Sequence, residues 1–283
     1  MTSPANLLKA WNLRARKELG QNFLKDTAIA ASIVDLAGVG PRDTVVEIGA
    51  GLGVMTVVLG RLAQQVIAVE KDRALVPLLR AELLAQALPQ VRIVEEDILK
   101  LDLVELAGGK PAHLIVLGNL PYNISSQVVV RLIRQRQVVR RAVLMFQKEL
   151  AQRLCAGPGS KTYGRLSVLL QYCAEIKYLK DVGAGQFHPR PKVDSAVVGI
   201  TFRPRIAPAA DDEGLFARVV QAAFGQRRKT LRNALAGGFL PLKLQESAAL
   251  LEASGIDPRR RAETLSVAEF VALSNRIGAH LKG

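Results

Sequence analysis

The sequence predicts an α/β protein with a mostly parallel sheet and a small all-helical region at its carboxyl terminus. Short β-branched and apolar runs at residues 44–48, 65–69, 91–94 and 113–117 alternate with segments of helical periodicity. Strands that alternate with helices form parallel sheets with right-handed crossover connections. After residue 205 only helical periodicity is found, so the sheet is expected to end before that point.

Three further runs complete the predicted sheet, at residues 142–146, 175–179 and 195–202, and the last two suit an antiparallel pair. Asp26 or Thr27 is a suitable N-cap for a first amphipathic helix, and Gly38 and Gly40 suit its end. The helices of this region are expected over residues 28–36, 54–62, 72–86, 124–130, 148–155 and 165–172.

A change in composition near residues 203–212 marks a predicted domain boundary. This segment is rich in Pro and Ala and lacks periodicity, as expected of a linker. Helices are expected after it over residues 214–224, 228–235, 242–253 and 267–281. The sequence therefore predicts two domains, residues 1–204 and residues 205–283.

The chain is strongly basic, which favours an anionic partner. It has 283 residues, a formal net charge of +14 and a pI of about 10.2. Residues 131–165 hold nine Lys or Arg side chains against one acid, Glu149. A basic excess of this size is typical of nucleic-acid binding, with an anionic membrane surface as the second choice. Nucleic acid is the expected partner, because this segment directly follows the candidate active-site turn described below.

The few cysteines and histidines make a metal site or a disulfide framework unexpected. Cys155 and Cys173 form no CxxC motif, and the three histidines are widely scattered. The amino terminus lacks the charged region and apolar core of a signal peptide, and no apolar run reaches membrane-spanning length. We therefore expect a cytoplasmic protein that binds neither metal nor membrane. Without a signal for a subunit interface, a monomer is expected.

A glycine-rich turn follows the first predicted parallel strand. Gly49, Gly51 and Gly53 lie between that strand and a helix, where they allow the backbone to approach a ligand closely. A dinucleotide-binding fingerprint would need a sixth-position glycine, and Val54 stands there instead. The turn therefore predicts a nucleotide-like ligand and disfavours a pyrophosphate.

Two acids at neighbouring strand ends narrow the ligand to a nucleoside. Glu70 ends the second parallel strand about 20 residues after the glycines, where a carboxylate can accept both ribose hydroxyls. Asp97 follows the third strand at the same sheet edge and suits an adenine amine. An adenosine ligand without phosphate fits this set. S-adenosylmethionine is such a ligand, and its positive sulfonium suits a pocket lined by acids and carbonyls.

The turn at residues 118–123 supplies groups that suit an amine on a planar base. Methyl transfer from a sulfonium is a direct displacement, which needs the nucleophile held in line with the methyl group. The N6 amine of adenine is a poor nucleophile, because its lone pair is shared with the ring. The Asn119 side-chain oxygen and the Leu120 carbonyl could accept its hydrogens. The Tyr122 ring could stack on the base, which contributes roughly 1–3 kcal/mol.

These motifs, in this order, resemble the KsgA-type ribosomal RNA adenine dimethyltransferases over nearly the whole chain. The resemblance rests on residues 20–24, 46–53, 70, 97, 118–125, 147–149 and 187–195. It implies a class I, Rossmann-like methyltransferase fold with a small helical carboxyl-terminal domain that contacts RNA. It also implies S-adenosylmethionine as methyl donor. The implied substrate is a pair of adjacent adenosines in a hairpin near the 3′ end of small-subunit rRNA, each receiving two methyl groups on N6.

The resemblance also implies roles for individual residues. Tyr122 and Phe187 would sandwich the target base, while Asn119 would contact both the donor and the target amine. Phe187 taken alone would be a core residue more often than a stacking residue. Asn22 and Leu24 would line the methionine side of the donor pocket. With them, the donor site would comprise Asn22, Leu24, Gly49, Gly51, Glu70, Asp97 and Asn119.

Several other functions share part of this pattern. The related Erm enzymes dimethylate adenine in large-subunit rRNA, although residues 187–195 and 224–233 look like the KsgA type. A ribosome-assembly or transcription factor could keep the fold and the basic surface without the chemistry. A DNA adenine methyltransferase would share the Asn-x-Pro-Tyr motif. A nucleotide-linked dehydrogenase is disfavoured by Val54.

Overall fold

A seven-stranded sheet forms the centre of the computed structural model, which describes residues 3–111, 113–226, 228–237 and 240–282. Its strands are β2 (Thr44–Ile48), β3 (Gln65–Glu70), β4 (Val91–Glu95), β5 (Leu114–Asn119), β6 (Val139–Gln147), β7 (Ala174–Val182) and β9 (Ser195–Phe202). Two short strands, β1 (Phe23–Leu24) and β8 (Phe187–His188), form a separate antiparallel pair.

The strand order in the large sheet is β4-β3-β2-β5-β6-β9-β7. Strands β4, β3, β2, β5 and β6 are parallel to one another, and β9 is antiparallel to β6. The predicted parallel sheet is therefore confirmed, and the last two strands are neighbours at its end. Because β2, β3, β4 and β5 point the same way, their carboxyl ends meet at one edge.

The first eight helices precede β7 in the chain. They are α1 (Pro4–Ala10), α2 (Thr27–Ala37), α3 (Val54–Gly60), α4 (Val76–Ala85), α5 (Leu103–Leu106), α6 (Ser125–Arg134), α7 (Lys148–Cys155) and α8 (Arg165–Cys173). The Asp26 side chain accepts the Ala28 N–H at 2.7 Å, so Asp26 is the N-cap of α2, and Gly38 ends this helix at φ 58°.

Helix α4 begins at Val76, four residues later than predicted. Asp72 holds the preceding residues in a turn, because its side chain accepts the Ala74 N–H and its carbonyl accepts the Leu75 N–H. Local side-chain hydrogen bonds of this kind compete with a helix. Four helices follow residue 205, namely α9 (Glu213–Gly225), α10 (Leu231–Ala236), α11 (Leu244–Ala253) and α12 (Val267–His280). Arg227, within the basic segment 224–233, lies outside the described residues.

The chain divides into two compact units. The first comprises Met1–Ala151 and Glu175–Pro204, and the second comprises Gln152–Ala174 and Arg205–Gly283. The second unit thus takes in a helical segment from the middle of the chain as well as the residues after 205. None of the described helices has the length and apolar character needed to cross a membrane.

The interior of the first unit explains why the sheet forms at these residues. All five residues of β2 are buried, as are Leu114–Leu117 of β5. Such runs of β-branched and aliphatic residues are typical of a parallel strand covered on both faces. Gly118 continues β5 where it passes β2, and a Cβ built there would lie 2.7 Å from the Ile48 carbonyl oxygen. Only glycine fits at this close approach of the two strands, and the next residue in the chain is Asn119.

Gly118→Ala tests this close approach. The added methyl group would force β5 away from β2, and we expect the free energy of unfolding to fall by about 1–3 kcal/mol. Gly185→Ala is the matched control, since a Cβ there meets nothing within 4 Å. Its stability should stay within about 0.5 kcal/mol of the wild type in urea unfolding. Equal stability of the two variants would show that a side chain is tolerated at position 118, where β5 approaches β2.

Candidate active site

A pocket opens at the carboxyl edge of the sheet, where β2, β3, β4 and β5 end. It is lined by parts of residues 18–24, 47–55, 69–75, 96–98 and 119–124. Nine of the ten residues predicted to form the site lie in its wall: Asn22, Leu24, Gly49, Gly51, Glu70, Asp97, Asn119, Leu120 and Tyr122. The fold therefore brings together side chains that are up to 100 positions apart in the sequence.

The glycine turn after β2 forms the floor of this pocket. Gly49 and Gly51 have φ angles of 74° and 56°, which side chains other than glycine rarely adopt. The N–H groups of Gly49 and Ala50 donate to the Val69 carbonyl, which ties the turn to β3. A Cβ at Gly51 would lie 3.1 Å from the Phe23 ring. The floor is thus bare backbone, as required for close approach of a nucleoside.

Glu70 joins the glycine turn to the end of β3. One carboxylate oxygen accepts the Gly51 N–H at 2.8 Å and the other accepts the Asp72 N–H at 2.7 Å. Burial raises the pKa of Glu70, while these N–H groups act in the opposite direction. A carboxylate has about four acceptor positions, so Glu70 keeps acceptor capacity for two hydroxyl groups after both backbone bonds are made.

Asp97 follows β4 and has a different environment. Its carboxylate pairs with the Lys71 ammonium at 2.8 Å and accepts the Leu99 N–H at 2.9 Å. Partial burial raises the pKa of Asp97, but the hydrogen bonds from Lys71 and Leu99 outweigh it and hold the pKa below the usual value. Asp97 is therefore ionised, and Lys71 balances its charge. This arrangement suits a hydrogen-bond acceptor for a neutral amine.

Asn119 at the end of β5 has a fixed orientation. Its side-chain Nδ2 donates to the Asn22 carbonyl oxygen at 2.8 Å. This bond uses one of the two Nδ2 hydrogens, and Oδ1 is the atom with which Asn119 can accept hydrogens from a ligand. The bond also connects two segments that the sequence separates by 97 residues. Asn22 is thus a positioning residue for Asn119 as well as part of the wall.

The rest of the turn after β5 is held on both sides. The Leu120 N–H donates to the Met145 carbonyl at 3.3 Å, and the Ser125 hydroxyl donates to the Pro121 carbonyl at 3.0 Å. The Tyr122 hydroxyl is 2.8 Å from the Ser195 hydroxyl. Partial burial raises the pKa of Tyr122. Tyr122 therefore keeps its proton at neutral pH and its ring is held in place. The half-buried ring offers a flat apolar surface at the pocket.

Phe187 is the predicted site residue that the structure does not bring into the pocket wall. Its side chain is 2% exposed and packs in the core of the first unit with Leu24 and Val182. Its strand, β8, pairs with β1 so that Phe187 lies opposite Leu24. In this structure Phe187 supports the wall from behind, because Leu24 lines the pocket. Stacking on a base would require its ring to leave the core.

Glu47 also lines the pocket, although the sequence motifs predict no role for it. It is 1% exposed, and its Oε2 atom has no hydrogen-bond partner among the described residues. Burial raises the pKa of Glu47 to about 8, and the nearby Glu70 adds to this effect. An acid inside the β-branched run 44–48 is the sequence signal for such a residue, because strand cores rarely contain unpaired carboxylates.

Several arginines of the basic segment 131–165 have structural partners. Arg131 donates to the carbonyls of Leu99 and Leu101, Arg140 pairs with Asp43, and Arg141 donates to the Gly38 carbonyl. Asp43 immediately precedes β2, so Arg140 lies at the sheet edge opposite the pocket. Proximity in sequence to the active-site turn therefore does not place Arg140 beside the pocket. Nucleic-acid contact by the segment as a whole stays a prediction.

The fold and pocket define a class I S-adenosylmethionine-dependent methyltransferase. The family model for ribosomal RNA adenine dimethylase matches residues 12–278, and the chain belongs to that family. This confirms the resemblance found in the sequence.

Relatives and solved structures agree with this assignment. The chain is 48% identical over 277 residues to Ribosomal RNA small subunit methyltransferase A of Desulforapulum autotrophicum, covering 98% of this chain and 97% of the relative. For the Geobacter sulfurreducens protein of the same name, the identity is 47% over 266 residues, with 93% and 95% covered. A dimethyladenosine transferase from Plasmodium falciparum has a TM-score of 0.76 at 26% identity, covering 90% of this chain and 98% of that one.

The fold is also that of the 23S rRNA methyltransferase ErmE. The TM-score is 0.68 at 24% identity, and the match covers 91% of this chain and 100% of ErmE. The small-subunit name is the one carried by the relatives that are 47–48% identical over nearly their full length. The comparisons therefore favour the small-subunit type over the Erm type.

Glu47→Gln tests the protonation state of the buried acid. Burial raises the pKa of Glu47 from 4.5 to about 8, so the folded protein holds a proton that the unfolded chain releases. The stability that comes from this proton is fully present below pH 4.5 and is lost as the pH rises to about 8. Relative to Glu47→Gln, we expect the wild type to lose up to about 1.4 kcal/mol of stability per pH unit in this window.

Urea unfolding at several pH values measures this difference. Glu252→Gln is the control, because it changes an exposed carboxylate in the second unit. Parallel pH profiles for the wild type and Glu47→Gln would contradict the assignment of a buried, protonated Glu47.

Proposed function

We propose that this enzyme dimethylates N6 of two adjacent adenosines in a hairpin loop near the 3′ end of small-subunit rRNA, with S-adenosylmethionine as donor. The observation that carries the proposal is the shared pocket, in which the nucleoside-binding acids Glu70 and Asp97 line the same wall as Asn119 and Tyr122. Family membership and the names of the relatives support the choice of RNA. Such a modification would belong to the biogenesis of the small ribosomal subunit.

The donor half of the pocket fits an adenosine with a positive charge. Glu70 has acceptor capacity for the ribose hydroxyls, and Asp97 can accept from the adenine amine. Asn22 and Leu24 form the wall proposed for the methionine part, above the turn at Gly49 and Gly51. S-adenosylmethionine, when bound, supplies a methyl group on a positive sulfonium, which is ready for direct displacement. No metal is proposed, because the displacement needs only alignment of the nucleophile.

The target half of the pocket acts on the adenine amine. Asn119 Oδ1 and the Leu120 carbonyl oxygen are proposed to accept the N6 hydrogens. Two such acceptors favour a pyramidal nitrogen, whose lone pair is then directed toward the methyl group rather than shared with the ring. The fixed amide of Asn119 supports this role, because a preorganised acceptor needs no reorientation during the reaction.

The base itself is proposed to be held by stacking. The Tyr122 ring lines the pocket and is oriented by Ser195. An unpaired base in an RNA loop is the appropriate substrate, because extruding it costs less than breaking a base pair. Phe187 is proposed as the second stacking ring, which requires it to move from its core position when the base enters.

The partner proposed for the whole chain is small-subunit rRNA within the small ribosomal subunit. The net charge of +14 supports a polyanionic partner. The helical second unit, with its share of the basic residues, is proposed to contact RNA outside the target loop. The enzyme is proposed to act as a cytoplasmic monomer.

Asn119→Ala tests the role of the amide. We expect the rate of methyl transfer at saturating substrates to fall by about 100-fold or more, as when one preorganised hydrogen-bonding group of an active site is removed. The assay measures tritium transfer from labelled donor to small ribosomal subunits that lack the modification. RNA affinity, measured separately by filter binding, should change little. Wild-type rates in Asn119→Ala would exclude the amide from catalysis.

Phe187→Leu tests the second stacking ring, because leucine fills a core position but has no aromatic face. Loss of one base stack, roughly 1–3 kcal/mol, should raise KM for the RNA by about 10-fold. Stability should fall by less than about 1.5 kcal/mol, because the apolar volume is largely kept. An unchanged KM for RNA, together with reduced stability, would leave Phe187 as a core residue only.

A further inference from the structure

The segment before the pocket wall, residues 9–17, is fixed in position by a buried acid. We call this segment the N-terminal arm. The Arg16 guanidinium pairs with the Asp72 carboxylate at 3.1 Å, and the Gln21 side-chain amide donates to the same carboxylate at 2.7 Å. The Arg16 N–H in turn donates to the Gln21 side-chain oxygen at 2.8 Å. Asp72 is buried, so the arm is anchored to the end of β3 beside Glu70.

Apolar packing also fixes the position of the arm. Leu8 of α1 is buried against Leu52, Leu75 and Leu78, and Leu13 of the arm packs against this cluster. The arm then continues directly into residues 18–24, which line the pocket. Its position relative to the pocket is therefore set by both packing and hydrogen bonds.

The exposed side chains of the arm include three cations and an aromatic ring. Trp11 is 42% exposed, whereas an indole with a purely structural role is usually well buried. Lys9, Arg14 and Lys17 are exposed, and within the described part of the chain their cationic groups make no ion pair or hydrogen bond. Residues 3–17 contain no acid, so nothing in the arm neutralises these charges.

We propose that the N-terminal arm is an RNA-binding surface, on which Trp11 stacks with an unpaired base and Lys9, Arg14 and Lys17 contact backbone phosphates. The inference rests on the proposed function, because the RNA is the one whose adenosine enters the adjoining pocket. Aromatic side chains among cations are the combination that single-stranded nucleic acid requires. Since the arm is ordered beforehand, binding does not have to fix its backbone, and the arm can set the register of the RNA relative to Asn119.

Fluorescence of Trp11 gives a direct test, because Trp11 is the only tryptophan in the chain. The full-length protein is titrated with an RNA hairpin that has two adjacent loop adenosines, and separately with S-adenosylmethionine. We expect the RNA to quench the emission by stacking, with a midpoint that matches filter binding, and the donor alone to leave it unchanged. Unchanged emission on RNA binding, or a change with donor alone, would overturn the proposal.

Variants test the consequence for the reaction. Trp11→Ala should raise KM for small ribosomal subunits by about 10-fold. Trp11→Phe should have a KM close to that of the wild type, since phenylalanine can also stack. Replacing Lys9, Arg14 and Lys17 with Gln together should reduce the slope of log affinity against log salt by about 2 to 3. KM for the donor and the rate at saturation should be unchanged in all three proteins.

Arg42→Gln is the matched control, because Arg42 is an exposed cation just before β2, at the sheet edge opposite the pocket. This control should retain the wild-type KM for RNA. If the arm variants are active with the wild-type KM for RNA and the wild-type salt dependence, the RNA-binding role of the arm is refuted and the proposed function is not affected. A wild-type protein that transfers no methyl group to RNA would instead refute the proposed function, so the two failures are distinguishable.

Discussion

The two backbone hydrogen bonds accepted by Glu70 are the interaction on which the site depends. They fix the glycine turn through Gly51 and the start of the next connection through Asp72. Asp72 then holds Gln21, and the following residue, Asn22, accepts the hydrogen bond that orients the Asn119 amide. A continuous set of contacts thus runs from the residue proposed to bind the donor ribose to the amide proposed to bind the target amine. The two halves of the pocket are therefore joined by one set of hydrogen bonds.

Electrostatics of the pocket match a cationic donor and a neutral target. Glu47 and Glu70 are both buried acids whose pKa values are raised, so a positive ligand beside them would relieve the cost of ionising them. Asp97 is instead balanced by Lys71 and accepts hydrogen bonds without excess charge. The groups proposed to surround the adenine amine are an amide, a carbonyl and an aromatic ring, all of them uncharged. In that proposal a neutral nucleophile is held by neutral groups.

Most of the fold and most of the site could be predicted from the sequence, because both depend on local patterns. Strands β2 and β9 begin and end where their β-branched runs do, and nine site residues lie at strand ends or turns that the motifs mark. The start of α4 differs from the prediction for a local reason, because the Asp72 side chain accepts the Ala74 N–H and such a turn competes with a helix. The positions of Arg140 and Phe187 depend instead on tertiary contacts, since Arg140 pairs with Asp43 and Phe187 is buried behind Leu24. Neither of these two contacts has a local sequence signature, because each joins residues that are far apart in the sequence.

The most direct test of the account is to map the methylated nucleotides. Small ribosomal subunits that lack the modification are incubated with the protein and labelled S-adenosylmethionine, and the rRNA is digested and analysed by mass spectrometry. We expect N6,N6-dimethyladenosine at two adjacent positions in a hairpin loop near the 3′ end of the small-subunit rRNA. Absence of label from that RNA, or transfer to large-subunit rRNA or duplex DNA instead, would contradict it.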